Sequence, residues 1–500
     1  MLFSSPEFLF AFLPISLLVF HLGLRFFGAG AALGLSVLLS LFFYGWWNPP
    51  YLALLAGSMV VNYALARKLA KMDSLSLLVF GITLNLGVLG YFKYKNFFLE
   101  NTGLLLGETW HLGVLFIPLG ISFFTFQQIA LLIDLRDRAV EHPPNWLDFA
   151  QFISFFPQLI AGPIILYREL DDQFAALHAG KGKGLTLFGA GVVVFITGLF
   201  KKVCLADGIA PFADAAFVFS ETLSLLEAWA GVLAYALQLY FDFSGYSDMA
   251  VGLGLMFGFV LPINFDTPFR ASSMIDFWKR WHITMTRFFM IYIYSPLAWR
   301  MARWGAKRGW NKERGRHVLF FSASVGFPIL TAFLLSGLWH GAGWTFVAFG
   351  AVNGIGLVAN HAWREWHAPR LPRALGWGLT LICVLVSFVY FRAANMAQAH
   401  EILSAMFSPA KFILPNWLAG TAEALHLPWT TLDLFSEGSF SVRMALWIFI
   451  LGLLSLLMAN PAKDYAGLKP SFPLALATAF MGWMALAWLD EPRSFLYFQF

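Results

Sequence analysis

The sequence predicts an all-α polytopic membrane protein, because of its composition and the length of its apolar runs. Of the 500 residues, 59% are hydrophobic and only 12% are charged, whereas soluble domains contain about 25% charged residues. The chain carries 20 Trp and 55 Phe, an apolar excess that no soluble core absorbs, so its helices lie in a bilayer. The runs are continuous rather than alternating, which excludes an outer-membrane β-barrel.

Apolar runs long enough for membrane helices follow one another from end to end, and we expect about 11 to 14 of them to cross. The run at 147–166 is interrupted by Pro157, Gly162 and Pro163, and such a piece is tolerated only inside protein or beside a cavity. No basic residues precede the first run, which predicts a retained helix rather than a cleaved signal peptide. No linker divides the chain, which predicts a single transmembrane domain over 1–500. The candidate spans are 7–27, 30–47, 50–66, 75–92, 112–133, 147–166, 185–204, 226–243, 248–262, 276–299, 317–338, 342–362, 374–391, 442–460 and 473–489.

The segments between the spans differ in charge, and this predicts their orientation. The stretch 300–316 contains seven basic residues and one acidic residue, and short basic loops beside membrane helices remain in the cytoplasm. The next charged loop, 364–373, is also basic, so the two spans between these cytoplasmic loops form a hairpin whose tip lies on the far side. Nucleic-acid binding by the basic run is disfavoured, because the run lies between membrane segments. The stretch 392–441 is predicted to be an extracytoplasmic or interfacial region of loop and helix.

The tip of this hairpin places His340 at membrane depth. An ionisable residue there is costly and is interpreted as functional by default. Gly337, Gly341 and Gly343 let the backbone bend and approach another group closely, and an imidazole exchanges protons near neutral pH. His340 is therefore the first candidate catalytic residue. The alternative is a packed histidine that hydrogen-bonds a neighbouring helix.

A second histidine, His282, lies in a segment that combines aromatic and charged residues. At helical spacing Trp278 and His282 share one face, and Asp276 and Arg280 are four residues apart and can pair on another face. This pattern predicts an amphipathic helix. Its Trp and Arg anchor it at the headgroups, or its histidine contributes to a site, and the two roles are compatible.

Polar side chains also follow or interrupt other apolar runs. Asp242 is predicted to be buried and paired with an arginine or a histidine, so it can orient a catalytic histidine. Ser247 or Asp248 is predicted to be the N-cap of a helix that begins there. The Ser, Thr and Gln residues of 118–128 and 155–163 are expected to hydrogen-bond across helices, with tunnel lining as the alternative. The chain has no phosphate-binding Gly-rich loop, HExxH or GxSxG motif, so hydrolase or ATPase chemistry has no support.

Longer motifs run in order along nearly the whole chain. They are PLGISFFTFQ (118–127), FFPQLIAGPI (155–164), GLFKKVCLAD (198–207), YFDFSGYSDMAVGLG (240–254), FWKRWHITMTRFF (277–289), LLSGLWHGAGWTFVAFG (334–350), FVYFRA (388–393) and FLYFQF (495–500). Together they resemble the membrane-bound O-acyltransferase (MBOAT) family, most closely its branch of alginate O-acetyltransferase membrane subunits. The resemblance implies a ring of tilted helices around a central tunnel, with His340 as the family's essential histidine and His282 as its second. After Leu297 relatives often continue with paired glycines, whereas this chain has Ala298 and Trp299, a departure that bears on donor recognition.

The resemblance implies a membrane O-acyltransferase that moves acetyl from cytoplasmic acetyl-CoA across a bacterial inner membrane to modify an exopolysaccharide such as alginate. His340 acts as general base or as a nucleophile that carries a transient acyl group. His282 positions or shares the proton, and Asp242 orients a catalytic group. The acceptor is expected to be an extracytoplasmic SGNH-type acetyltransferase partner or the polysaccharide itself, and neither a metal nor a nucleic acid is expected. The basic residues expected to draw the CoA phosphates to the cytoplasmic mouth are Lys307, Arg308 and Arg314.

Two other functions stay open at this point. The first is D-alanyl transfer to teichoic acid, which belongs to the same family but uses a carrier-protein donor. The second is a proton-coupled transporter or channel whose buried histidines relay protons. Substrate-dependent release of CoA distinguishes an enzyme from a transporter.

Overall fold

The computed structural model describes residues 1–110, 113, 116–310, 317–414, 419–425, 428, 438–489, 493 and 495–496. These residues belong to two compact units. The first unit comprises Met1–Val203, Ser244–Ile263 and Pro461–Gln499, and the second comprises Cys204–Phe243 and Asn264–Asn460. The long helix Leu225–Met256 contributes residues to both units.

The predicted all-α membrane class is confirmed. Seven helices within the described ranges are long and apolar enough to cross a bilayer, judged by length and composition. Two further apolar helices, Val442–Leu457 and Phe472–Ala487, are shorter. The larger number of crossings and the central tunnel stay predictions. The seven long helices are Phe8–Trp47, Pro49–Leu69, Leu75–Leu106, Gly184–Val218, His317–His340, Trp344–Glu365 and Arg373–Arg392.

The first unit begins with a long helix that contains a break. A π-helical turn, Phe8–Phe12, continues into Leu13–Trp47, and the backbone leaves helical geometry at Gly28, with φ 84° and ψ 180°. The predicted spans 7–27 and 30–47 are therefore two helical segments joined at a glycine, which adopts positive φ without a steric penalty. The other α-helices of this unit are Pro49–Leu69, Leu75–Leu89, Lys95–Leu106, Ile121–Arg136, Trp146–Ser154, Phe156–Leu159, Asp171–His178, Phe188–Phe200 and Phe472–Ala487.

Two apolar runs of the first unit form shorter helices than expected. Within the described residues, the run at 112–133 becomes helical only from Ile121, because Gly120 precedes it in a left-handed conformation with φ 70°. The following run is broken into Trp146–Ser154 and Phe156–Leu159, as its proline and glycine residues predicted. Both pieces are buried, which is the condition for a broken helix at membrane depth.

Side-chain amides join three helices of the first unit. Asn62 and Asn85 exchange hydrogen bonds of 3.1 and 2.7 Å. Gln128 Oε1 accepts from Asn62 Nδ2 at 2.9 Å and from Ser58 Oγ at 2.8 Å. Lipid offers no hydrogen-bond partners, so polar side chains inside membrane helices bond to one another. The predicted interhelical bonding of 118–128 is confirmed at Gln128.

A buried ion pair shows that the cap predicted at Ser247 or Asp248 is wrong. The predicted spans 226–243 and 248–262 join in the single helix Leu225–Met256, so Asp248 lies inside a helix. Its Oδ2 atom is 2.6 Å from Nζ of Lys201, and both side chains are buried. The carboxylate is satisfied by a cation from another segment and therefore does not need the backbone N–H groups of a helix start.

The second unit contains a helical hairpin, Phe327–His340 and Trp344–Glu365, and Arg373–Arg392 packs against the second of these helices. The stretch 392–441 includes the helix Met396–Phe407, and part of it lies outside the described residues. The other α-helices of this unit are Asp207–Val218, Met274–Trp278, Ile283–Phe289, Ser295–Lys307, His317–Phe321, Ala419–Ala424 and Gly438–Leu457.

The continuous amphipathic helix predicted around His282 is wrong. One short helix, Met274–Trp278, begins at Ser273, whose side chain accepts from a backbone N–H. The next helix begins only at Ile283, so residues 279–282 form a turn. Tertiary contacts to this turn override the helical spacing of the sequence. The consequence is that Trp278 and His282 do not occupy one face of a single helix.

We expect the Lys201→Met substitution to lower the free energy of unfolding by about 3–5 kcal/mol, because it leaves the Asp248 carboxylate buried without its cation. The double variant Lys201→Met/Asp248→Leu should recover most of this loss, since two apolar side chains need no partner. Thermal unfolding of the purified protein in detergent, followed by Trp fluorescence, measures both. A single variant as stable as the wild type would contradict a structural role for this pair.

Candidate active site

The helical hairpin fixes the position of His340. This residue ends the helix Phe327–His340 and is buried, with 6% of its surface exposed. The helix stops there because Gly341 is extended. The two helices of the hairpin approach closely at Gly337, where an added methyl group would lie 2.2 Å from the carbonyl oxygen of Phe346. Only glycine permits this approach, which holds the last turn of the first helix against the second.

His282 occupies the turn between the two short helices. Its φ of 44° and ψ of 54° lie in the left-handed region that residues other than glycine seldom adopt. Such conformations cost about 1–3 kcal/mol and persist where the surroundings impose them, often at functional sites. The side chain is fully buried. The pair predicted between Asp276 and Arg280 is confirmed at 2.8 Å, and Arg280 Nη1 also donates to the carbonyl of Asp266 at 3.2 Å.

Asn264 holds the imidazole of His282 and sets its tautomer. The Oδ1 atom of Asn264 accepts from the backbone N–H of Thr284 at 3.3 Å and from Thr284 Oγ1 at 2.6 Å. The same oxygen lies 3.2 Å from His282 Nδ1. Because this oxygen accepts, Nδ1 carries the proton and donates it. A neutral imidazole protonated on Nδ1 has its basic lone pair on Nε2.

The two imidazoles lie close together among aromatic rings. The ring centres of His282 and His340 are 6.3 Å apart. The indole of Trp339 is 5.9 Å from the first ring and 4.9 Å from the second, and the rings of Phe349 and Phe391 are 5.7 and 5.0 Å from that of His340. The structure thus brings together the two histidines that the sequence predicted. Two buried imidazoles among aromatic rings are suited to proton transfer with a bound substrate.

Asp242 is buried, as predicted. The ring of the next residue, Phe243, meets that of His282 edge-on, with centres 4.7 Å apart. The charge of Asp242 acts on Tyr235, as does the charge of Arg392. The carboxylate of Asp242 therefore interacts with Tyr235 and lies one residue from Phe243, whose ring contacts His282. The role of Asp242 in orienting a catalytic group stays a prediction.

Two of the three residues predicted to attract the donor are described. Lys307 ends the helix Ser295–Lys307 and Arg308 follows it, and both are exposed. The guanidinium of Arg308 lies 3.8 Å from the ring centre of Trp304. Arg314 lies outside the described residues. The donor-binding role of this segment stays a prediction.

Sequence reasoning missed Asn264 and Thr284. Asn264 precedes the two short helices and Thr284 lies in the first turn of the second, so folding brings them together beside His282. A signal was present in the segment 264–268, Asn-Phe-Asp-Thr-Pro, which places polar residues between apolar runs. Polar residues at membrane depth indicate a functional site.

A pair of buried histidines in a polytopic α-helical membrane protein is a candidate acid–base site. Comparison with known proteins identifies the family. Residues 71–309 match the sequence model of a protein family, which is described as MBOAT, membrane-bound O-acyltransferase family. A peptidoglycan O-acetyltransferase of Helicobacter pylori is 39% identical over 440 residues, which are 81% of this chain and 80% of that protein. The chain belongs to the MBOAT family.

Other relatives carry related names. A probable alginate O-acetylase AlgI of Azotobacter vinelandii is 38% identical over 418 residues, covering 82% of this chain and 78% of that protein. A teichoic acid D-alanyltransferase of Streptococcus thermophilus is 28% identical over 294 residues, covering 55% of this chain and 68% of that protein. The chain is a multi-pass membrane acyltransferase, so the predicted enzyme class is confirmed and the transporter alternative loses its support.

We expect Asn264→Ala to lower kcat for acyl transfer by about tenfold or more, because His282 loses the acceptor that holds its Nδ1–H. This loss is part of the hundred- to ten-thousand-fold that positioned acid–base groups contribute. Asn264→Asp retains the acceptor oxygen and should restore a large part of the rate. Steady-state kinetics with pH profiles measure the effect.

The matched control is Asn353→Ala. Asn353 is also buried in the second unit, and its Nδ2 donates to the carbonyl of Phe349 in its own helix at 2.9 Å. Equal kcat values for the two alanine variants would show that Asn264 has no positioning role.

Proposed function

We propose that this protein transfers an acetyl group from acetyl-CoA for the O-acetylation of a bacterial exopolysaccharide such as alginate. The observation that carries the proposal is the buried histidine pair, with ring centres 6.3 Å apart, in a member of an O-acyltransferase family. The relatives named as alginate O-acetylase and peptidoglycan O-acetyltransferase support acetyl as the transferred group and a polysaccharide as the substrate class.

The proposed reaction exchanges a thioester for an ester. The acceptor hydroxyl oxygen attacks the carbonyl carbon of the donor, the C–O bond forms and the C–S bond breaks. His340 takes the hydroxyl proton as general base and returns it to the departing sulfur, which leaves as the CoA thiol. The aromatic side chains around His340 exclude water that would hydrolyse the thioester.

His282 has a supporting role in this mechanism. Its proton on Nδ1 is engaged by Asn264, so Nε2 is the atom that shares a proton with the substrate or with His340. A base held in one tautomer works without first rotating or exchanging its proton. Asp242, which is buried and precedes the Phe243 ring that contacts His282, orients a catalytic group in this proposal.

A second chemical route has His340 as the nucleophile. In that route the acetyl group resides transiently on the imidazole, and the acceptor attacks in a separate step. Radiolabelled acetyl-CoA without acceptor separates the two routes. Label that remains with the protein supports the covalent route, and no label supports general base catalysis.

Donor and acceptor reach the site from opposite faces of a bacterial inner membrane in this proposal. The basic segment 300–316 faces the cytoplasm and acetyl-CoA, and the hairpin tip at His340 is reached from the far side. The acceptor is the polysaccharide or an extracytoplasmic SGNH-type acetyltransferase partner that passes the acetyl group on. Release of CoA thiol from acetyl-CoA by the purified protein tests the donor, and replacing acetyl-CoA with a D-alanyl carrier protein tests the teichoic acid alternative.

His340→Ala is expected to abolish acetyl transfer while folding and expression stay near normal. The general base contributes on the order of a hundred- to ten-thousand-fold. The measurement is CoA release at matched amounts of folded protein. Retention of more than about a tenth of the wild-type rate, well above what loss of a general base allows, would remove His340 from the mechanism.

Neutralising Lys307 and Arg308 to Gln is expected to raise the KM for acetyl-CoA, most clearly at low ionic strength. Attraction between exposed charges is screened beyond about 8 Å at physiological salt, and loss of uniform binding raises KM without lowering kcat. Kinetics are measured on protein whose orientation has been verified by labelling Ala306→Cys, an exposed position beside the changed residues, with an impermeant reagent. An unchanged KM at low salt would leave the segment only a role in membrane orientation.

A further inference from the structure

A cavity of about 100 Å³ lies in the second unit, and its lining includes Thr286 and Ser336, one helical turn from His282 and His340 respectively. A single water needs roughly 10–15 Å³ of such space, so the cavity accommodates several non-hydrogen atoms. Its inner wall includes Trp278, Met285 and Ser336, all of them buried. Its outer wall includes Tyr294 and His361, both partly exposed.

Two hydrogen-bond donors in this cavity are unsatisfied. Within the described part of the chain, neither Nε1 of Trp278 nor Oγ1 of Thr286 has a hydrogen-bond partner, although both atoms are buried. The indole is 3% exposed. A buried donor without a partner costs about 1–3 kcal/mol, so such groups require an explanation.

Thr286 differs from other threonines of the same unit in its side-chain hydrogen bonding. The hydroxyls of Thr331 and Thr380 donate to the carbonyl four residues earlier, at 2.9 and 2.7 Å, which is the usual solution for a threonine in a membrane helix. The hydroxyl of Ser336 donates to the sulfur of Met285 at 3.5 Å, and sulfur is a weak acceptor. At the inner end of the cavity, the Trp278 and Thr286 donors therefore have no hydrogen-bond acceptor among the described residues, and the Ser336 hydroxyl has only a weak one.

The cavity lies close to the histidine pair, although neither histidine lines it. Ser336 precedes His340 by one turn, about 6 Å along the helix axis. The ring of Phe349 contacts both Trp278, at 6.4 Å, and His340, at 5.7 Å. The ring of Phe349 therefore connects Trp278, in the cavity wall, with His340.

Two basic side chains act on the outer end of the cavity. His361 lines it, and the charges of Lys279 and Arg364 act on this histidine. Arg364 is held in place by a hydrogen bond of 3.5 Å to Ser273 Oγ. Cations at one end and hydrogen-bond donors at the other match a ligand that carries phosphates at one end and carbonyl oxygens along an otherwise apolar chain.

We infer that Thr286 and Trp278 position the acyl donor by donating hydrogen bonds to amide carbonyl oxygens of its pantetheine arm within this cavity, an inference that rests on the proposed function. Coenzyme A has both features: phosphates, and an arm with two amide carbonyls that ends at sulfur. A phospholipid chain also fills apolar space, but it offers the inner donors no acceptor.

The test compares Thr286→Val, which removes the hydroxyl at nearly constant volume, with wild type in acetyl-CoA kinetics and in calorimetric titration with CoA. The KM and the CoA dissociation constant are expected to rise about threefold to tenfold. The kcat should change little, since a hydrogen bond kept throughout the reaction acts on KM alone. Thr286→Ser should restore wild-type values, and Trp278→Phe should weaken CoA binding in the same direction.

Thr380→Val is the matched control, because its hydroxyl bonds to its own helix. If wild type neither binds CoA nor releases thiol from acetyl-CoA, the proposed function itself fails. If wild type does both and Thr286→Val behaves like Thr380→Val, the assignment of the cavity is wrong and the proposed function stands. If Thr286→Val changes only the thermal stabilisation by phosphatidylglycerol–phosphatidylethanolamine vesicles, the cavity holds a lipid chain and the inference is overturned.

Discussion

The absence of water at membrane depth is the constraint on which the rest of this structure depends. Each polar group there must find its partner within the protein. The reciprocal amides of Asn62 and Asn85 and the pair Lys201–Asp248 meet this condition in the first unit. Asn264, His282 and Thr284 meet it in the second. In each case the partners come from distant parts of the chain, so the polar contacts also select which segments pack together.

The candidate active site uses the same constraint for a chemical purpose. Asn264 accepts from one nitrogen of His282, so the basic lone pair lies on the other nitrogen and a structural hydrogen bond also sets the tautomer. The left-handed conformation of His282 carries an energetic cost that the surrounding contacts offset. The position of His340 is fixed by helix packing, because the two helices of the hairpin approach closely at Gly337. Both imidazoles are therefore placed by the packing and hydrogen bonds of buried segments, which suits proton transfer over short distances.

In the cavity near the histidines, two buried hydrogen-bond donors have no partner among the described residues. Trp278 and Thr286 present buried donors to an apolar space. A bilayer protein tolerates such donors where a ligand completes them during function. In the proposed function, an acyl-donor site one helical turn from the histidines would let binding energy from the non-reacting part of the substrate position its reactive end.

The sequence by itself determined the membrane class, most helices, both histidines, the Asp276–Arg280 pair and the resemblance to an acyltransferase family. These follow from composition, local periodicity and ordered motifs, which the chain carries without reference to its fold. The tertiary structure alone decided that the helix around His282 breaks, that Asp248 lies inside a long helix, and that Asn264 governs an imidazole. Local spacing cannot reveal these features, because each depends on a partner that folding brings from another segment. In a medium without water, the free energy gained when a buried polar group pairs with its partner outweighs the local conformational preference of the backbone.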